Sequence, residues 1–289
     1  MFDGHTDLYE LIAAPAHHSL SPLIHNTSFN KLNINSVYLA FDVEADELTD
    51  TVASLRALSV HGANVSMPYK EAVVPFMDEL TPMAKRLGAV NTIIKRHGHL
   101  VGDSTDGQGF VDALNDEAVS VTGKHVVVLG AGGAGRAVIA ACVEAGAMVT
   151  VFKRQNRTFE AIQQQLTNWS PNITVLPYED LDQMAQVVAE ADVIINTTNV
   201  GMGADTGVPL ADSVMAVLQP GQFVADAIYA PLETQFLKEA KVQGCQTMNG
   251  INMLIHQAAR AFTQWTDIPM PVDTVKEAVN NHLLSLAAK

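Results

Sequence analysis

A short apolar run, His125-Val-Val-Val-Leu129, leads directly into Gly130-Ala131-Gly132-Gly133-Ala134-Gly135 and then into Arg136-Ala-Val-Ile-Ala-Ala-Cys-Val-Glu-Ala145. β-Branched residues favour an extended chain and the alanine-rich stretch favours a helix, so the glycines must make the turn between them. Gly146 then closes the helix, and Met148-Val-Thr-Val-Phe152 returns to an extended run. Strand, glycine turn, helix and strand within about 30 residues form a βαβ unit, whose parallel strands require a crossover helix. No other segment restricts the fold so tightly, because a chain that carries it must build a parallel sheet.

The alternation continues on both sides. Ile173 to Leu176, Val193 to Asn196 and Phe223 to Ala227 read as further strands, with Asp180 to Glu190 and Glu233 to Val242 as helices covering them. The fold class is therefore α/β, with a doubly wound parallel sheet. Ahead of it, Leu11 to Ala14, Ser36 to Phe41 and Gly62 to Val65 predict strands, while Pro22 to Leu32, Glu47 to Leu58 and Lys70 to Leu80 predict helices. Ile93 to Val101 predicts a hairpin that turns at His97-Gly98-His99. The front is thus a second α/β domain, and a chain of 289 residues has room for two, since single cores rarely grow beyond roughly 250 residues. The expected division is 1–110 and 111–251.

Composition removes several function classes. No apolar run approaches the roughly 20 residues that span a bilayer, and the start, Met1-Phe2-Asp3-Gly4-His5, lacks the basic and apolar regions of a signal peptide. A soluble, cytoplasmic protein is expected. The two cysteines, Cys142 and Cys245, sit in apolar surroundings and suit a reducing compartment. With 17 basic and 31 acidic residues the net charge is −14, which disfavours nucleic-acid binding and leaves an anionic substrate in need of local help. The pairs His17-His18 and His97/His99 have no second cluster at zinc-ligand spacing, so no metal is expected.

The glycines match the G-x-G-x-x-G pattern in its required strand–turn–helix context. Gly130 permits the tight turn, Gly132 lets the backbone approach a pyrophosphate and Gly135 allows close helix packing. The helix start would offer its N–H groups and positive dipole end to the phosphates. At the end of the next strand a 2′-hydroxyl reader would be acidic. Here Lys153-Arg154-Gln155-Asn156-Arg157 holds no acid and three cations, so Lys153, Arg154 and Arg157 are expected to bind a 2′-phosphate, which favours NADP over NAD. A solvated basic turn is the alternative. Hydride chemistry on an alcohol also needs a proton acceptor, and Lys70 after Pro68 and Asp106 before Gly107 are the candidates.

Taken together, His18-Ser19-Leu-Ser21-Pro22 with His25-Asn26, Asn64-Val-Ser66-Met-Pro-Tyr-Lys70, Gly88-Ala-Val-Asn91-Thr92, Gly102-Asp-Ser-Thr-Asp106-Gly107, Gly130 to Gly135, Asn196-Thr197-Thr198, Gly201-Met202, Asp226 to Pro231 and Met253-Leu-Ile-His-Gln257 resemble the shikimate dehydrogenase family. Nine segments in the family's order span nearly the whole chain. The resemblance implies an N-terminal substrate domain completed by helices from about residue 252 to 289. It implies that Ser19 and Ser21 hold the substrate carboxylate, that Asn64, Ser66, Asn91, Asp106 and Gln257 read hydroxyls, and that Tyr38 and Tyr229 reach the pocket. Lys70 and Asp106 would be the catalytic pair, and Thr197 and Gly250 would line the cofactor with Gly130 to Gly135.

The implied reaction is reversible NADP-dependent reduction of 3-dehydroshikimate to shikimate by a monomer or homodimer. Ser104, Ser66 and Ala13-Ala14 depart from the usual residues, and Ala13 to Pro22 looks more like the quinate/shikimate branch. Quinate as substrate, and NAD as a weaker cofactor, therefore stay open. A non-catalytic NADP-binding regulatory protein is the rival class, and the presence of both Lys70 and Asp106 argues against it.

Overall fold

The computed structural model describes residues 2–58 and 60–287. Its strands are β1 (Asp7–Ala13), β2 (Ser36–Asp42), β3 (Val60–Val65), β4 (Glu79–Leu80), β5 (Thr92–Arg96), β6 (His99–Asp103), β7 (His125–Leu129), β8 (Met148–Lys153), β9 (Ile173–Pro177), β10 (Val193–Asn196), β11 (Phe223–Asp226) and β12 (Gln246–Met248). The helices are α1 (Ser21–Leu32), α2 (Leu48–Ala57), α3 (Pro82–Leu87), α4 (Asp106–Asp116), α5 (Gly133–Glu144), α6 (Phe159–Trp169), α7 (Leu181–Ala189), α8 (Asp212–Met215), α9 (Gln235–Val242), α10 (Gly250–Thr266) and α11 (Val272–Ala287). The chain divides into two compact units, one holding the residues up to Thr105 and those from Ile255 on, the other Asp106–Leu254.

In the first unit six strands run in the order β2-β1-β3-β5-β6-β4. β1 is parallel to both β2 and β3, and the chain then reverses, so that β5 is antiparallel to β3 and β6 antiparallel to β5. The hairpin between β5 and β6 turns at His97 and Gly98, whose φ values of 52° and 83° are those of a two-residue turn that matches strand twist. One face of the sheet is closed by Val52 and Leu55 of α2, together with Ile12, Ala63, Val65, Tyr69 and Leu100.

The expected helix over Lys70 to Leu80 does not form. The segment is a turn followed by one short 3-10 turn, Val74–Phe76, and then β4. Pro75 has no N–H and disfavours helical geometry in the residue before it. The Asp78 carboxylate then accepts the Leu100 N–H at 2.7 Å and an Arg56 N–H at 2.6 Å, which draws Glu79 and Leu80 into register with Val101 and Gly102.

In the second unit all six strands are parallel, in the order β9-β8-β7-β10-β11-β12. The chain enters at β7, moves outward to β9 and then crosses back to β10. The strand order thus reverses between β7 and β10, the position at which sheets of this kind hold ligands beyond their strand ends. Val126, Val127, Val128 and Leu129 of β7 are all fully buried, as a central strand covered on both faces requires.

Asp106 opens α4, which packs on α5 within the second unit. The contact is so close that a Cβ at Gly107 would overlap the Ala137 carbonyl oxygen. Gly107→Ala should therefore cost about 1–3 kcal/mol through overpacking, read as a drop of several degrees in Tm. A variant as stable as the parent would show that the α4–α5 contact yields.

Candidate active site

The direction of the strands decides where polar residues collect in the first unit. β1 and β3 end side by side, Ile12 opposite Val65. β5 starts at that edge, with Thr92 opposite Asn64, and β6 ends there, with Asp103 opposite Thr92. Asn91 stands at the reversal: its carbonyl accepts the Val65 N–H at 2.8 Å and its N–H donates to the Asp103 carbonyl at 3.0 Å.

Side chains extend this network. The Asn91 amide donates to Thr105 Oγ1 at 3.0 Å and to Gln257 Oε1 at 3.3 Å, and its oxygen accepts the Thr105 N–H at 2.8 Å and the Thr92 hydroxyl at 2.9 Å. Gln257 comes from α10, on the same unit. Asn64 donates to the Asn91 carbonyl at 3.1 Å and to Thr92 Oγ1 at 3.3 Å, and it accepts the Tyr38 hydroxyl at 2.8 Å. Both Asn64 donors are thus spent inside the protein, and the residue is 5% exposed. It holds the Asn91 strand end in place.

Ser19 and Ser21 follow β1, and the Ser21 N–H donates to Ser19 Oγ at 3.1 Å. Burial pushes the Tyr38 phenol well above its ordinary range, the Ser21 hydroxyl opposing this and Glu10 adding to it. Ser66 lies just beyond β3, where its N–H donates to the Ile12 carbonyl at 3.0 Å. Lys70 is half-buried in the turn after β3, and its carbonyl accepts the Val90 N–H at 2.8 Å. Asp106, also half-buried, belongs to the second unit.

Three residues of this edge carry no expected role in the sequence. Thr92 and Thr105 stand inside segments already singled out, but a threonine beside an asparagine gives no sign that it serves as a hydrogen-bond node. His25 of α1 is fully buried, and among the described residues neither ring nitrogen has a hydrogen-bond partner. It stacks on Tyr38 with centroids 4.4 Å apart and planes at 14°. Burial drives its pKa down to about 3, the Asn64 side chain opposing the shift, so the ring is neutral.

Because the folded value lies below the ordinary 6.5, the contribution of His25 to stability is present above pH 6.5 and is lost as pH falls toward 3. Its share reaches about 1.4 kcal/mol per pH unit. His25→Phe keeps a flat ring without the nitrogens, so its Tm should fall less than the parent's between about pH 6.5 and pH 4. Parallel Tm profiles would refute this assignment.

The second unit carries the glycine turn. Gly130 has φ 96°, a backbone region that L side chains rarely adopt. A Cβ at Gly135 would lie 2.6 Å from Thr197 Oγ1, so α5 can start close under the sheet only with glycine there. Gly132, Gly133 and Ala134 are exposed and Ala131 half-buried, and α5 has no acidic residue in its first turn. The Thr197 hydroxyl donates to the Leu129 carbonyl at 2.8 Å, tying the end of β10 to the turn after β7. Gly250 begins α10 and donates its N–H to the Ile228 carbonyl at 2.9 Å, where a Cβ would overlap the Ala227 carbonyl. Tyr229 is half-buried, and burial raises its phenol.

The basic turn after β8 divides the work among its cations. Arg154 and Arg157 are exposed. Lys153 is 9% exposed and its ammonium points into the turn, donating to Asn156 Oδ1 at 2.8 Å and Thr158 Oγ1 at 2.9 Å. Burial, and after it Arg154, lowers its pKa, with Glu179 opposing. Asn156 Oδ1 also accepts the Thr158 N–H at 3.1 Å.

A parallel sheet in this strand order with a glycine turn at its switch point, joined to a second α/β unit with a polar strand-end cluster, defines a two-unit protein of the nucleotide-dependent dehydrogenase class. Sequence comparison narrows the class. The shikimate dehydrogenase substrate binding domain matches residues 11–93, the shikimate / quinate 5-dehydrogenase domain residues 113–206, and the shikimate 5′-dehydrogenase C-terminal domain residues 250–279. The chain is 45% identical over 275 residues to a shikimate dehydrogenase (NADP(+)) of Latilactobacillus sakei, covering 93% of this chain and 94% of the relative. Among solved structures it resembles shikimate 5-dehydrogenase from Listeria monocytogenes in complex with shikimate and NAD, with TM-score 0.91 and 38% identity over 96% of this chain and 98% of the other. It also resembles the Thermus thermophilus enzyme in complex with NADP(H) and shikimate, with TM-score 0.84 and 32% identity over 95% and 98% of the two chains. The protein belongs to the shikimate dehydrogenase family.

Proposed function

We propose that this protein is a cytoplasmic shikimate dehydrogenase, which reversibly reduces 3-dehydroshikimate to shikimate with NADPH in aromatic amino acid biosynthesis. The observation that carries the reading is the edge of the first sheet, where Asn64, Asn91, Thr92, Thr105 and Gln257 gather as neutral hydrogen-bonding groups around one strand reversal. Such a surface suits a small acid bearing several hydroxyls.

The cofactor fits the second unit. Gly132 and Gly133 leave open space where a Cβ would stand, and the exposed start of α5 offers backbone N–H groups to a pyrophosphate. Arg154 and Arg157 are exposed and can meet a 2′-phosphate, while the nearby Glu179 carboxylate accepts the Gln155 N–H at 3.0 Å. When bound, the nicotinamide supplies the hydride to the carbonyl carbon or takes it from the alcohol carbon. Lys70, as an ammonium, gives its proton to the carbonyl oxygen during reduction and takes it back during oxidation. Asp106 is its partner in the catalytic pair that the family resemblance implies. Ser19 and Ser21 hold the carboxylate, and Asn91 and Gln257 read hydroxyls. Tyr229 closes the nicotinamide side.

Purified protein should reduce NADP in the presence of shikimate, read as nicotinamide absorbance. No change with shikimate and either cofactor would sink the reading, and turnover of quinate alone would move it to the quinate branch. Lys70→Ala should lower kcat about 10²- to 10⁴-fold with little change in KM. A change in KM alone would make Lys70 a binding residue.

Cofactor choice has its own test. A hydrogen bond to a charged group contributes about 1.5–3 kcal/mol, so Arg154→Ala or Arg157→Ala should weaken NADP roughly 10- to 100-fold and leave NAD nearly unchanged. Equal losses for both would mean that the arginines only support the turn.

A further inference from the structure

Asp226 ends β11 with no exposure to solvent, and no role in binding or catalysis has been given to it above. Its carboxylate takes three donors from three places in the chain. Oδ1 accepts the Asn196 amide at 3.0 Å and the Ile228 N–H at 3.0 Å, and Oδ2 accepts the Thr234 hydroxyl at 2.8 Å. Each donor leads onward. The Asn196 oxygen receives the Thr198 hydroxyl at 2.7 Å and the Thr198 N–H at 3.0 Å. Thr234 caps α9, its hydroxyl oxygen accepting the Leu237 N–H at 3.4 Å. Ile228 precedes Tyr229, and its carbonyl receives the N–H of Gly250 at the start of α10.

The chain of contacts runs across three neighbouring strands at their carboxyl ends. Asp226 holds Asn196, the next residue Thr197 holds the carbonyls of Leu129 and Gly130 at 2.8 and 3.2 Å, and Gly130 begins the glycine turn. This line lies beside the switch point of the sheet, where a dinucleotide would rest. As a means of stability alone the carboxylate is a poor choice, since burial opposes its ionisation and pushes it up to about 6. It can, however, accept on both oxygens at once, which lets a single side chain fix two loops and a helix start.

We propose that Asp226 is a positioning residue for the cofactor: by gathering Asn196, the Ile228 N–H and Thr234 on one carboxylate, it sets the loops after β10 and β11 in the form that receives the nicotinamide half of the dinucleotide. The proposal rests on the cofactor reading above and not on the identity of the substrate. Asp226→Asn would keep the shape of the side chain, its amide oxygen accepting from Asn196 and Ile228 and its amide nitrogen meeting Thr234. Alanine would strand all three donors.

The test is the affinity of Asp226→Ala, Asp226→Asn and Thr234→Val for NADPH and NADP+, measured by fluorescence titration and competition without shikimate, with Tm recorded alongside. Asp226→Ala should weaken both nucleotides together by about tenfold or more, and Asp226→Asn should stay within about threefold of the parent. Parent affinity in the folded alanine variant would overturn the proposal. So would an asparagine variant as weak as the alanine one, or a loss confined to NADP+, which would assign the effect to charge. If Asp226→Ala does not fold, Thr234→Val decides: it removes one donor and should weaken both nucleotides about threefold, and parent affinity would refute the idea. Should the parent prefer NAD, the same ratios are expected with NAD. A parent that binds nucleotide but leaves shikimate untouched sinks the proposed activity and leaves this test in force.

Discussion

The reversal of chain direction at Asn91 is the constraint on which the first unit depends. Parallel strands β1 and β3 end at one edge, and their last backbone groups lie beyond the ladder. An antiparallel return through β5 and β6 brings one strand start and one strand end to the same edge. Buried N–H and C=O groups there must find partners or cost about 1–3 kcal/mol each. Asn91 answers with its backbone and its side chain, reaching Val65, Asp103, Thr105 and Gln257. Polar residues are dense at this edge because the sheet needs them there, and a ligand bound here would use groups already held in place.

The second unit meets the same problem with six parallel strands and solves it with fewer residues. At the ends of β7, β10 and β11 the bonds pass through Thr197, Asn196 and Asp226. Backbone carbonyls take the threonine, and a carboxylate takes the rest. Neutral amides hold the edge of the first unit, whereas one buried acid holds the loops of the second. The difference suits their expected ligands: hydroxyls exchange donors and acceptors with amides, while a dinucleotide rests on backbone N–H groups and needs loops of fixed shape.

Much of this was legible in the sequence, and the limits have physical causes. The valines of β7, the glycine run and the alanines of α5 specify their elements locally, so the parallel sheet could be read directly. The segment from Lys70 to Leu80 could not, because apolar residues at helical spacing conceal what Pro75 forbids and what Asp78 gains by pairing with Leu100 and Arg56, 22 residues away on either side. Asn64 and Lys153 show a second limit. Residue type tells which groups can form hydrogen bonds, but only packing tells whether those bonds point inward. His25 gives no sign of its burial, since its neighbours Tyr38, Phe262 and Trp265 come from other elements.

Lys153 also changes how the basic turn should be understood. Its ammonium donates to neutral oxygens of Asn156 and Thr158, and Arg154 stands beside it. Burial first, and the like charge of Arg154 second, lowers the pKa of Lys153, with Glu179 opposing both. A phosphate dianion held by Arg154 and Arg157 would lower the cost of charging the buried lysine without touching it. Under the proposed cofactor reading, the turn would meet a 2′-phosphate in two ways: through contacts of the exposed arginines, which salt screens readily, and through the field of a lysine inside the protein, which salt screens much less. Replacing the arginines would remove the first and leave the second.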